Sequence, residues 1–240
     1  MFPKYENQVI GFAFFISILR KKRNIIPNDS KISHGYFYYE ISQCHLEIQE
    51  CLLNCIFNQQ YSSDLLGRKI IDDGNEFYLP NLSYADLQYL IAVESGLDRL
   101  YSFWDRITFL LANYDSLGLD FNNLSFDKYF KELSKRVRNG KQTLYDKTSK
   151  HLSWLMKFHQ NYFKQITNYR HRIVHYKMTP KWEGTLTSRF LNNSMEHGSN
   201  PEELKKLKLE FEGLGDLFFE HFNYCKQGFI ESLYLIDELK

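Results

Sequence analysis

Arg170 and His175 are the residues of this chain best suited to act on a phosphate group. They belong to the run Tyr-Arg-His-Arg-Ile-Val-His-Tyr, residues 169–176, in which four residues separate the arginine from the second histidine. An imidazole titrates near neutral pH and can take or give a proton. A guanidinium stays charged and fits two phosphate oxygens. The pair could therefore promote attack of a ribose 2′-hydroxyl on the adjacent phosphate, which predicts RNA cleavage without a metal ion.

Other polar residues of the same run could assist this chemistry. His171 precedes His175 by one helical turn, so it could orient that ring or serve as a second proton-transfer group. Arg172, Tyr176 and Lys177 are expected to bind the RNA substrate. Ordinary alternatives remain open: the ring of His175 could bond a backbone carbonyl, and His171, Arg172 and Lys177 could simply face solvent.

Two acidic residues elsewhere in the chain could support the arginine. Glu94 and Asp98 are one turn apart in a predicted helix and could face Arg170 and hold its guanidinium. An exposed or separately ion-paired role fits them equally well.

The pattern R-x4-H, carried by Arg170 and His175, resembles the signature of the HEPN superfamily (higher eukaryotes and prokaryotes nucleotide-binding). The resemblance covers the chain from about Ser83 onward and implies a helical bundle that is often a ribonuclease, with no cofactor. It also implies a homodimer in which two motifs share one composite active site, and an antitoxin or other regulatory partner. The chain departs from some toxins of this family, which carry a tyrosine two residues after the histidine. Here Tyr176 follows His175 directly.

The distribution of charge supports an anionic partner. The chain has a net charge of +1, yet residues 128–181 contain 14 Lys or Arg and two acidic residues, for a net of +12. The rest of the chain carries −11. Such clustering indicates a surface that faces RNA or another polyanion.

Competing functions are less well supported by the residues. His171 and His175 form H-x-x-x-H, but Arg172 occupies the place of the glutamate of a zinc hydrolase, so no metal site is predicted. The motifs of nucleotide hydrolysis, hydride transfer and esterase chemistry are missing from the sequence. The alternative is a non-catalytic HEPN-like module that binds RNA, a nucleotide or a protein. A structural dimerisation protein is a third possibility.

The elements that must position these residues are predicted to be helices. Few glycines and prolines interrupt the periodic segments, which favours an all-α, up-and-down bundle of long antiparallel helices. Residues 1–82 are interpreted as an N-terminal helical extension and residues 83–240 as a HEPN-like bundle. The apolar periodicity and capping residues predict helices at 6–23, 37–59, 83–114, 126–138 and 149–178. One or two more helices are predicted after Pro201, with a break near Gly213 and Gly215. An Asp-Gly turn predicts a small hairpin at 70–78.

The cysteines and the N-terminal residues bear on location. Cys44, Cys51 and Cys55 recur at helical spacing in an apolar segment, and Cys225 stands alone, as expected of buried free thiols in a reducing compartment. The apolar run at 9–19 is too short to cross a bilayer, and its basic residues follow it. A cytoplasmic protein without a membrane partner is therefore predicted.

Overall fold

The computed structural model describes residues 34–61, 66–72, 75–80, 83–114, 123–139, 149–174 and 201–238. Within these residues the protein is an all-α helical bundle, as the sequence predicts. A single short hairpin accompanies the helices in this part of the chain. The helices are α1 His34–Gln59, α2 Tyr84–Tyr114, α3 Phe126–Arg138, α4 Lys150–Asn161, α5 Phe163–Val174 and α6 Pro201–Asp237. The helix predicted at 6–23 lies outside the described residues.

Three helices begin directly after a serine whose side chain caps the first turn. At the start of α2, the Ser83 backbone N–H donates to Asp86 at 2.8 Å, and the Asp86 N–H donates back to the Ser83 hydroxyl at 3.2 Å. This reciprocal pair satisfies N–H groups that the first helical turn leaves without partners. Ser125 accepts from the Lys128 N–H at 3.4 Å, and Ser149 accepts from the Leu152 N–H at 3.2 Å. These three helix starts are thus determined by local sequence.

The hairpin consists of β1 Leu66–Asp72 and β2 Asn75–Pro80, which pair antiparallel. Asp72 pairs with Asn75, and the sequence between these two residues is Asp-Gly. Asp-Gly is a favoured sequence for a two-residue hairpin connection, and the hairpin is the one expected from it.

The helix predicted as continuous from 149 is interrupted at Tyr162, which corrects the sequence interpretation. Phe158 and Phe163 are both only 2% exposed. In an unbroken helix they would point about 140° apart, because each residue turns the chain by about 100°. Tyr162 has φ −119° and ψ −36°, which lies in the right-handed helical region but far from ideal helix dihedrals, and this distortion lets both rings turn inward. Phe163 then lies 4.6 Å, between ring centroids, from Phe126.

The C-terminal helix corrects a second expectation. Pro201–Asp237 is one helix, and neither Gly213 nor Gly215 breaks it. Gly215 is buried where an added Cβ would overlap the hydroxyl of Tyr89. Packing against neighbouring helices compensates the cost of about 1 kcal/mol that a glycine imposes within a helix. Helix α1 likewise begins three residues earlier than the prediction of Phe37.

The chain forms two compact units. The first falls within Met1–Gln49, Arg99–Ile166 and Phe222–Lys240, and the second within Glu50–Asp98 and Thr167–His221. Both units take residues from before and after position 82, and the division at 82/83 stays an interpretation of the sequence.

The core of the first unit is aromatic. The indole of Trp104 stacks on Phe158 with ring centroids 4.0 Å apart and lies 4.9 Å from Phe126. Phe126 in turn lies 4.5 Å from Phe130. These residues are at most 2% exposed. Aromatic rings each bury a large area, so this cluster holds α2, α3 and α4 together.

The core of the second unit is mainly aliphatic. Its buried members include Leu52, Cys55, Leu90, Val93, Leu97, Leu214 and Phe218. Some apolar residues of these helices are not buried. Ile91 is 48% exposed and Cys51 is only half-buried. A stripe wider than the surface it packs against leaves its edge residues at solvent.

No helix in the described ranges is both long enough and apolar enough to cross a membrane.

Candidate nucleic-acid site

Arg170 and Asp98 form an ion pair between α5 and α2. The Nε of Arg170 donates to Oδ1 of Asp98 at 3.4 Å. The two side chains are 38% and 40% exposed, respectively. Asp98 is therefore a partner of Arg170, in agreement with one of the two possibilities that the sequence left open. The guanidinium is held by a carboxylate on a side chain that is only partly buried.

The local sequence explains how both helices present these side chains. On α2, Leu97 and Leu100 are buried on either side of Asp98, which leaves the carboxylate at the edge of the packed face. On α5, Phe163 and Ile166 are buried and anchor the start of the helix. Arg170 follows Ile166 by one turn and has a side chain long enough to keep its charged end in water.

The other predicted site residues are only partly placed. Glu94 lies one turn before Asp98 on α2 and is half-buried. His171 and Arg172 belong to the last turns of α5, where the backbone alone is described. His175, Tyr176 and Lys177 lie outside the described residues. The Arg170–Asp98 pair is thus the described part of the predicted site.

A second histidine environment, not predicted from the sequence, joins α4 to α6. The Nδ1 atom of His151 lies 2.5 Å from Oε2 of Glu231, and its Nε2 lies 3.7 Å from Oε1 of Glu238. The ring stacks on Tyr234 with centroids 5.0 Å apart, and Gln227 donates to Glu231. Eighty positions separate His151 from Glu231, so no local spacing reveals the pair.

A third histidine is held by a carboxylate of α3. The Nε2 atom of His159 lies 3.1 Å from Oδ1 of Asp127, and the ring stacks against Phe130 and Phe163. Lys131 also donates to Asp127, at 2.6 Å. Burial by itself would raise the pKa of Asp127, but the hydrogen bonds from Lys131 and His159 outweigh it and lower that pKa. The arrangement connects α3 to α4, and we interpret it as structural.

Metal ligands do not gather in the described part of the chain. It contains no group of three or more His, Cys, Asp or Glu side chains arranged to hold a metal ion. The cysteines there are free thiols.

Comparison of the chain with protein-family models, curated proteins and solved structures finds no match. Membership of the HEPN superfamily stays a prediction that rests on R-x4-H.

Proposed function

We propose that the protein is a metal-independent endoribonuclease. The observation that carries the proposal is the Arg170 guanidinium held by Asp98 on a side chain that is 38% exposed, in a chain segment that is rich in positive charge and followed by His175. Orienting a cation before substrate arrives lowers the cost of stabilising charge in a transition state. Asp98 is proposed to supply that orientation.

In the proposed reaction, His175 takes the proton of the ribose 2′-hydroxyl. The oxygen forms a bond to the adjacent phosphorus, and Arg170 stabilises the negative charge on the non-bridging oxygens. The bond from phosphorus to the 5′-oxygen breaks, and a second imidazole protonates that oxygen. This imidazole is His171 or, in a homodimer with a composite site, His175 of the other copy. The products are a 2′,3′-cyclic phosphate and a 5′-hydroxyl. The setting we propose is cytoplasmic, as a toxin or a defence enzyme.

The test is cleavage of single-stranded RNA by the purified full chain in the presence of EDTA, with the products identified by mass spectrometry. Arg170→Ala and His175→Ala should each reduce the rate by about 100-fold or more, as expected for loss of charge stabilisation or of a proton-transfer group. Both variants should keep the helical content of the wild type, measured by circular dichroism.

Arg106→Ala is a matched control for the arginine. Its Nε also lies 3.4 Å from a carboxylate oxygen, that of Glu40, and it precedes the basic segment. Its cleavage rate should equal that of the wild type. Cleavage that requires a metal ion, or that survives in the His175 and Arg170 variants, would contradict the proposal. Absence of cleavage with any RNA would favour the non-catalytic binding module.

A further inference from the structure

The solvent face of α4 and the first turn of α5 has an unusual composition. The exposed residues between positions 150 and 165 are all lysines, amides or a serine: Lys150, Ser153, Lys157, Gln160, Asn161, Lys164 and Gln165. No large apolar side chain in this range is exposed. The face therefore offers hydrogen-bond donors and positive charge.

The lysines of this face have no acidic neighbours in the surrounding sequence. Residues 147–182 contain no Asp or Glu. Within the described ranges, Lys150, Lys157 and Lys164 form no ion pair, since no carboxylate oxygen lies within 4.0 Å of their ammonium groups. Helix α3 provides a contrast. There Lys131 pairs with Asp127, and Lys135 and Arg136 pair with Glu132.

The spacing of the lysines suits an extended ligand. Lys150 and Lys157 are seven residues apart, which places them on one side of α4 and about 10 Å apart along its axis. Lys164 follows after another seven residues, at the second position of α5. Unpaired cations at such intervals match a chain of phosphates rather than a single small anion.

The neutral side chains narrow the class of partner. Protein interfaces favour aromatic residues and arginine at their centre and are depleted in lysine. Membrane-surface helices need apolar anchors beside their basic residues. This face has neither. Lysine, serine, asparagine and glutamine are among the side chains that contact the phosphates and sugars of nucleic acids.

We propose that this face, defined by Lys150, Lys157 and Lys164, binds the phosphate backbone of RNA independently of sequence. The inference rests on the proposed function, because it names the surface along which the substrate is held. Its role is to position the strand, and no lysine of this face takes part in cleavage.

The experiment measures binding of 2′-O-methyl RNA to the full chain by fluorescence anisotropy over a range of salt concentrations. This RNA lacks the attacking hydroxyl, so binding can be measured whether or not the protein cleaves RNA. The variant K150Q/K157Q/K164Q should bind roughly 10- to 100-fold more weakly at physiological salt. The slope of log K against log salt should become shallower by about 2, since each phosphate contact with a single strand contributes about 0.7.

The matched control is K131Q/K135Q/R136Q on α3, which removes the same charge from cations that already have carboxylate partners. It should bind within about twofold of the wild type. Equal weakening in both triple variants, or none in the first, would overturn the inference. Tighter binding of the wild type to polyglutamate or to phosphatidylglycerol vesicles than to RNA would also overturn it.

A dinucleotide too short to span the face should be cleaved equally well by the wild type and by the variant K150Q/K157Q/K164Q. Loss of that activity as well would also contradict a purely positioning role.

Discussion

The Nε atom of Arg170 and the Oδ1 atom of Asp98 lie 3.4 Å apart although 72 positions separate the residues. The contact connects α2 to the helix that precedes His175, and it is exposed rather than sealed in the core. An ion pair at the surface contributes little to stability, about 0–1 kcal/mol. We therefore expect its effect to be on activity.

Asp98→Ala is predicted to reduce kcat for RNA cleavage by about 10- to 100-fold, because an unsupported guanidinium loses its orientation. The free energy of unfolding should change by less than about 1 kcal/mol. Asp98→Glu should restore part of kcat, and Glu40→Ala, which removes the partner of Arg106, should leave kcat unchanged. A loss of activity that follows stability in all three variants would assign Asp98 a structural role. The measurements are steady-state cleavage kinetics and urea unfolding.

Gly228→Ala is predicted to destabilise the protein by about 1–3 kcal/mol. A Cβ at this position would overlap the indole of Trp104, which is completely buried. Gly213 on the same helix is the control, because no atom lies within 4 Å of a Cβ placed there. Gly213→Ala should stabilise the protein by about 0.5–1 kcal/mol, the ordinary gain in a helix. Urea unfolding of both variants measures the difference, and destabilisation of similar size in both would show that the close approach to Trp104 is unimportant.

Stability is predicted to fall as the pH drops from about 6.5 to about 4. Burial lowers the pKa of His221 to about 4, and burial together with the charge of Lys226 lowers that of His45 to about 4. In the unfolded chain each has its ordinary pKa of about 6.5, so the unfolded state binds more protons in this window. Protonation of each histidine in the unfolded chain should therefore lower the free energy of unfolding by about 2 kcal/mol at pH 5 relative to pH 7.5.

The measurement is urea unfolding at both pH values. His45→Leu and His221→Leu should each reduce the difference between the two pH values by about 2 kcal/mol. Because the readout is the difference between two pH values for the same variant, any change in stability that the substitution causes at both pH values cancels. An unaltered difference in both variants would mean that these rings titrate normally in the folded protein.

The cysteines are predicted to differ in reactivity. Burial raises the pKa of Cys225 and Cys55 well above the usual value, and Cys44 is buried with its thiol donating to the carbonyl of Arg99. Because the thiolate is the reactive form, Ellman's reagent at pH 8 should label the half-buried Cys51 first. The other thiols should react only in denaturant, and Cys51→Ser should remove the fast phase. Rapid labelling of all thiols in the native protein would contradict the described burial.

Much of the secondary structure follows from the sequence because its signals are local. Ser83 and Asp86 satisfy each other's backbone groups within one turn, and Ser125 and Ser149 each cap the helix that follows them. The break at Tyr162 has no such signal. It arises because Phe158 and Phe163 both gain more from burial beside Phe126 than an unbroken helix would allow.

Residue types and spacing determined that Arg170 has the chemistry of a phosphate ligand and that Glu94 and Asp98 lie on one helix face. Tertiary structure decided that Asp98 contacts Arg170 and that His151 meets Glu231. Neighbours within a helix are set by a repeat of 3.6 residues, which the sequence displays directly. Contacts between helices depend on how the bulky side chains of several helices fit together in the interior. This fit is a property of the assembled core and is not visible in the spacing of residues along one helix.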